Sequence, residues 1–336
     1  ELVPVFSELG QVYLDTEQFN EALNLYRQAM TIPKQGRNPE LLFKSGVAIT
    51  EYALNQPYAT NQTRQEQLQE GLGYFDKAIR IRPDYAEALY ERGNTYVLLG
   101  EVDKALDDLS LSVSTDPTDT DAVAQLGFVS LQRGLGEAAK RNGVTARILF
   151  DLNRSVDQLT NWLNTVPEDA EIDEEDPDAV RRETVLLNRS AALIALADEQ
   201  GNADNLYRRA VDDANAAIEL EPEKPDAYFQ KGIALRMIGD FDGAIDALTE
   251  SIENSPGNSE GHLRRGIIRY RQNEFELAKA DFEKAVQYTA RGLNPRAHFW
   301  LGLCYQNKGE IHRAVVSYTR ALRIRPRYVD AHMNRG

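Results

Sequence analysis

Three of the four histidines, His262, His298 and His332, follow one another at intervals of 36 and 34 residues. These imidazoles, the single cysteine and one dense run of carboxylates are the side chains that would have to carry catalysis or metal binding in this 336-residue chain. No zinc-type spacing exists among them, and the fourth histidine, His312, has no cysteine partner. Recurrence at a near-constant interval therefore reads as repeated packing positions. Cys304 stands alone, which excludes an internal disulfide, and its helical surroundings make it a small packing residue. The run EDAEIDEEDPD at 168–178 holds 8 carboxylates in 11 residues, but it lacks the glycine turn and terminal glutamate of a calcium loop and reads as a solvated loop. With no G-x-S-x-G and no phosphate-binding glycine loop, no catalytic, cofactor or metal site is expected, and the chain does not read as an enzyme.

A second pattern involves charge. Arg92, Arg189 and Arg265 each stand directly before a small residue, Gly93, Ser190 or Gly266. Each has an aspartate at one fixed register downstream: Asp108, Asp213 and Asp281. Where no arginine holds that place, the downstream position is Leu25, Tyr74, Gln158, Ala247 or Ser317. This co-occurrence predicts three structural salt bridges between paired helices.

The elements that would position these pairs follow from the small residues. Gly10, Gly46, Gly93, Gly127, Ser190, Gly232, Gly266, Gly302 and Gly336 share one slot, with spacings of 36, 47, 34, 63, 42, 34, 36 and 34. A large residue lies four before each slot, and an apolar one often lies three after, which defines one helix face. In the unextended units Ala22, Ala105, Ala244, Ala278 and Ala314 come twelve residues after the slot, each followed four later by Tyr26, Leu109, Leu248, Phe282 or Tyr318. That is a second helix, closed by prolines such as Pro83, Pro117, Pro256 and Pro326. Glycine inside a helix costs about 1 kcal/mol relative to alanine, so its recurrence predicts close approach of the paired helix. Ser190 should then leave its unit slightly splayed. Insertions at 55–67, 140–145 and 199–205 predict longer helices in the second, fourth and fifth units.

A 34-residue helix-turn-helix unit with these slots resembles the tetratricopeptide repeat family, over nearly the whole chain. The resemblance implies an all-α, right-handed superhelical α-solenoid of about eight repeats plus the start of a ninth. It would be organised as repeats one to four (1–167), an acidic linker (168–182) and repeats five onward (183–336). Because the last unit stops at Gly336, its eighth residue, the chain is expected to be a piece of a longer one. The family's concave surface is lined by first helices at the positions three before and one, four and five after the slot. Carried onto this chain, that wall includes Tyr90, Asn94 and Phe128, then Phe229, Ile233 and Arg236. It continues with Leu263, Ile267, Tyr270 and Arg271, and ends with Phe299 and Leu303. The carboxylate clamp of chaperone-binding members is absent: Asn94 stands alone, and Phe229, Leu263 and Phe299 occupy the lysine positions.

An apolar, arginine-edged wall suits a protein or peptide segment with apolar anchors and some negative charge, unless the chain's own segments fill it. The formal charge is -15, yet from Ser259 onward 15 Lys and Arg face 7 Asp and Glu. That dipole favours an acidic partner, or head-to-tail self-association, over nucleic acid, which the acidic remainder would repel. The longest apolar stretch, AALIALA at 191–197, is too short to span a bilayer. Two readings of function follow: a protein-interaction scaffold, or the regulatory or substrate-recruiting region of a larger multidomain enzyme of kinase or glycosyltransferase type.

Overall fold

A computed structural model of the chain describes all residues except 1, 33–36, 140–145, 169, 171–179 and 202, with side chains from residue 4 onward. Among the described residues it contains seventeen α-helices and no strand. The chain divides into two compact units, Glu1–Ala170 and Glu171–Gly336. Most of the acidic run lies outside the described residues.

The first unit is four antiparallel helix pairs: α1 (Leu2–Asp15) with α2 (Phe19–Thr31), α3 (Pro39–Leu54) with α4 (Asn61–Ile81), α5 (Ala86–Leu98) with α6 (Val102–Thr115), and α7 (Thr120–Ala139) with α8 (Ala146–Thr165). The second unit repeats the plan with α9 (Arg182–Gln200) and α10 (Asp204–Leu220), α11 (Pro225–Met237) and α12 (Phe241–Asn254), α13 (Ser259–Arg271) and α14 (Phe275–Tyr288), and α15 (Pro295–Asn307) and α16 (Ile311–Ile324). A last helix, α17 (Val329–Arg335), packs on α16.

Local chemistry sets these boundaries. Asn38, Asp240, Asn258 and Asn294 cap α3, α12, α13 and α15 with side-chain oxygens, and Pro39 and Pro295 begin helices where no amide donor is needed. Helices in the stretched pairs run 16 to 21 residues, against 13 or 14 in the regular ones. The helices of all three stretched pairs are thus longer, and residues 140–145 lie outside the described residues.

The shared slot is where paired helices touch. A Cβ placed on Gly93 would stand 2.9 Å from Leu109, and on Gly266 or Gly127 only 2.7 Å from Phe282 or Leu159. Glycine is there because the opposing helix fills the space, and the opposing side chains are themselves fully buried. At Ser190 the close approach is retained, not splayed. Its hydroxyl donates to the Ala210 carbonyl on α10 at 2.9 Å, and the residue opposite is Ala214 where other pairs have Leu, Phe or Tyr. A small side chain was added on one helix, and a large one is missing from the other.

Candidate interaction surface on the first helices

The Arg–Asp pairs lie between the two helices of one repeat. Arg92 donates through Nε and Nη2 to both oxygens of Asp108 at 2.7 Å, and its Nη1 reaches Asp76 of the preceding pair at 2.7 Å. Arg189 grips Asp213 in the same forked way at 2.8 and 2.6 Å. Arg265 grips Asp281 at 3.1 and 2.7 Å, with Arg269 adding a contact at 2.8 Å. All three aspartates are buried. The carboxyl of Asp281, which burial alone would push up, is held below its ordinary range by His262, Arg265 and Arg269. Asp213, whose main partner is Arg189, is pushed up by burial.

A fourth pair escaped sequence reading. Arg133 donates to the fully buried Asp151 at 2.8 and 2.5 Å, and Arg154 approaches the same carboxylate at 3.5 Å. Arg133-Gly134 facing Asp151-Leu152 reproduces Arg92-Gly93 facing Asp108-Leu109, two turns beyond the Gly127 slot, because the lengthened α7 and α8 hold room for a second contact. The dipeptide Arg-Gly was the available signal, masked by fixing the register on Gly127.

The histidines are used structurally. The Nε2–H of His262, His298 and His332 donates to the backbone carbonyl six residues earlier, at 3.2, 3.1 and 2.8 Å, and the Tyr228 hydroxyl does the same at 3.0 Å. Each tethers the loop that precedes its helix. Cys304 is buried, and burial pushes its thiol up to about 12, so it is a poor nucleophile. Among the described residues no three His, Cys, Asp or Glu side chains gather to hold a metal ion, and no helix is long and apolar enough to cross a membrane.

The expected apolar wall requires correction. Leu263 is fully buried, and Ile267 and Phe299 are 8% exposed. Leu263 and Ile267 belong to the cluster of Phe282, Ala297, Leu301 and Cys304, while Phe299 packs on Tyr318 and Tyr328 with ring centres 5.8 and 5.1 Å away. The slot three before the glycine faces the next repeat, so large side chains there become glue between repeats. Tyr270 is half-buried, edge-on to Trp300 and Phe275 at 5.3 and 5.2 Å. Phe229 and Leu303 are half-buried against core clusters, and Ile233 is half-buried. In the first unit Tyr90, Asn94 and Phe128 are half-buried, and burial pushes the Tyr90 phenol up to about 12.

What the second unit does present is cationic. A pocket of roughly 270 Å³ opens among α11, α13, α15 and α17, with Ile267, Phe299, Trp300 and Tyr328 as its apolar and aromatic lining. Arg236, Arg264, Arg271 and Arg296 line it as well, with Asp330. Arg236, Ile267, Arg271 and Phe299 were legible as wall residues; Arg264, Arg296, Trp300, Tyr328 and Asp330 occupy positions outside that four-slot scheme. Glu260 accepts from Arg264 Nε at 2.6 Å and from Arg296 Nη1 at 3.2 Å. Arg236 and Arg271 have no carboxylate partner within ion-pair distance among the described residues. The Nε of Arg236 is buried without a hydrogen-bond partner, and Nη2 meets only the Met237 sulfur, at 2.9 Å. Burial, then the fields of Arg264 and Arg271, weaken the basicity of Arg236. A larger hollow of about 500 Å³ in the first unit lies beside Asp103, Arg133 and Arg147, but Asp103 already pairs with both arginines.

Successive antiparallel helix pairs with a small residue, glycine in all but one, at the intra-pair contact define a helical repeat protein. Tetratricopeptide repeat models match residues 5–40, 74–107, 194–259 and 263–329. The chain belongs to the tetratricopeptide repeat family. It is 24% identical over 127 residues to human tetratricopeptide repeat protein 13, which covers 38% of this chain and only 14% of that protein. Among solved structures it is similar to the C-terminal part of a TPR repeat-containing protein from Cytophaga hutchinsonii, with TM-score 0.53, 14% identity, and 87% of this chain and 98% of that one covered. It is also similar to pilF of Pseudomonas aeruginosa, with TM-score 0.52, 16% identity, and 75% and 97% covered. Proteins of this family mediate protein–protein interaction.

Proposed function

We propose that the chain is a protein-interaction scaffold whose Glu171–Gly336 unit takes an acidic partner segment on the faces of α11, α13, α15 and α17. The observation that carries this reading is the pocket in which two of four arginines have no carboxylate. Affinity would come from charge, and the aromatic lining would receive one apolar side chain of the segment. The expected apolar, arginine-edged groove narrows in this reading to one compact subsite that keeps its Arg236 and Arg271 edge, since most of the apolar side chains pack between repeats.

Selection from a random peptide display library tests this. The wild-type chain is expected to enrich acidic sequences bearing an aromatic or aliphatic anchor, with binding that weakens as salt is raised. An Arg236→Gln, Arg271→Gln variant of equal helicity is expected to lose that enrichment. Identical enrichment by both proteins would refute the assignment.

A further inference from the structure

We infer that the Arg236–Arg264–Arg271–Arg296 pocket is a subsite for a phosphoryl dianion carried by the partner, a phosphoserine or phosphothreonine of a peptide segment. This rests on the acidic-segment reading above and makes it specific.

The first argument is charge. Four guanidiniums meet two carboxylates, Glu260 and Asp330, at this pocket. Glu260 is already shared between Arg264 and Arg296, so one carboxylate meets two guanidiniums there, and Asp330 is the one carboxylate that lines the pocket beside Arg236 and Arg271, which leaves the pocket as a whole in cationic excess. A carboxylate side chain brings a single charge, while a phosphoryl ester brings roughly -1.5 to -2 at neutral pH and so matches the excess. The second argument is the rest of the fold. Arg92, Arg133, Arg189 and Arg265 are each given a buried aspartate by the partner helix. Arg236 is also half-buried, yet the nearby Asp198 carboxylate already accepts from the Tyr207 hydroxyl at 2.5 Å. Those four guanidiniums each find a carboxylate on the paired helix, whereas the Arg236 Nε is buried with no acceptor and the group has no ion pair among the described residues.

The third argument is donor geometry. Every cation of the pocket is arginine, and no lysine lines it. Planar forks arriving from three helices can each present two donors to a different edge of a tetrahedral oxyanion, whereas a flat carboxylate offers two oxygens. A volume near 270 Å³ admits one phosphorylated side chain and not a length of nucleic acid.

Fluorescence anisotropy on the full chain distinguishes the possibilities. The probes are fluorescein-labelled degenerate peptide pools with a fixed central phosphoserine, glutamate or serine, together with a twelve-nucleotide oligothymidine. The phosphoserine pool is expected to bind about tenfold more tightly than the glutamate pool, as charge-assisted forked hydrogen bonds to three oxygens require. Arg236→Lys, which keeps the charge and removes the fork, is expected to abolish that preference while the glutamate pool still binds. Equal affinity for phosphoserine and glutamate pools would overturn the phosphoryl assignment and leave the acidic-segment reading intact. Indifference of all three peptide pools to Arg236→Gln with Arg271→Gln would overturn both. Tighter binding of the oligothymidine than of the phosphoserine pool, lost in the same variant, would overturn the assignment in favour of a nucleic acid backbone.

Discussion

Glycine-to-alanine substitution should have opposite signs at two kinds of helical site in this chain. Alanine gains about 1 kcal/mol over glycine in a helix interior by restricting the unfolded chain. At Gly73, within α4, an added Cβ meets nothing within 4 Å, so Gly73→Ala is expected to keep most of that gain. At Gly266 the same methyl would lie 2.7 Å from Phe282 Cε1, 3.0 Å from Cδ1 and 3.1 Å from Asp281 Cβ. Carbon atoms prefer about 3.5–4.0 Å, so α13 and α14 must separate by most of an ångström, against a Phe282 that is fully buried and an Asp281 fixed by two arginines. Overpacking of this kind costs about 1–3 kcal/mol, and the immobility of both neighbours argues for the upper end. Net of the propensity gain, Gly266→Ala should lose about 2 kcal/mol. Stacked repeats unfold as coupled local units, so the readout is amide hydrogen exchange on α13 and α14 beside urea denaturation followed by circular dichroism. Adding Phe282→Ala should give a double variant less destabilised than the sum, since it recreates the Ser190–Ala214 arrangement of small facing small. If Gly266→Ala stabilised α13 as much as Gly73→Ala stabilises α4, close approach would not be the reason for glycine in the repeat.

Two further expectations come from the buried charges and the loop tethers. Arg133→Met leaves Asp151 fully buried with only Arg154, 3.5 Å away, and should cost about 3–5 kcal/mol, most of it recovered when Asp151→Leu is added; a single variant as stable as wild type in urea would refute the pair's role. Burial, partly opposed by its bond to the Gly292 carbonyl, lowers the pKa of His298, so the unfolded chain takes up a proton first on acidification. Stability from this group is complete above its ordinary pKa of 6.5 and is lost as pH falls through the lowered folded value, so the urea midpoint should drop less between pH 7.5 and 5.5 in His298→Gln than in wild type, and equal drops would contradict it.

The repeat, its glycine contacts and the Arg–Asp pairs were legible because each depends on residues within one helix pair, where sequence spacing determines spatial register. Arg92 and Asp108 are sixteen residues apart in a hairpin of helices, so composition at two positions carries the contact. Arg133 and Asp151 obey the same rule and were missed only because insertion allowed a second register on one pair. The wall was less legible, since the exposure of Leu263, Ile267 and Phe299 depends on the following repeat, and side chains large enough to anchor a partner are also large enough to fill the space between repeats.

The pocket shows the same limit from the other side. Arg236, Arg264, Arg271 and Arg296 come from three different helices; Arg236 and Arg271 stand at wall positions of their own repeats, but Arg264 and Arg296 do not, and only stacking brings the four together. Arginine directly before the small residue of a helix–helix contact pairs with a buried aspartate on the paired helix, whereas Arg236, four after Gly232, faces the neighbouring first helices instead. The two kinds of arginine therefore differ in what lies opposite, and that is decided by stacking. A guanidinium whose counter-charge comes from its own repeat holds the hairpin together. One that forms no ion pair with its packed neighbours gains most from a charge supplied from outside, and the anionic segment is therefore proposed on the first-helix face of the second unit and not in the interior of any pair.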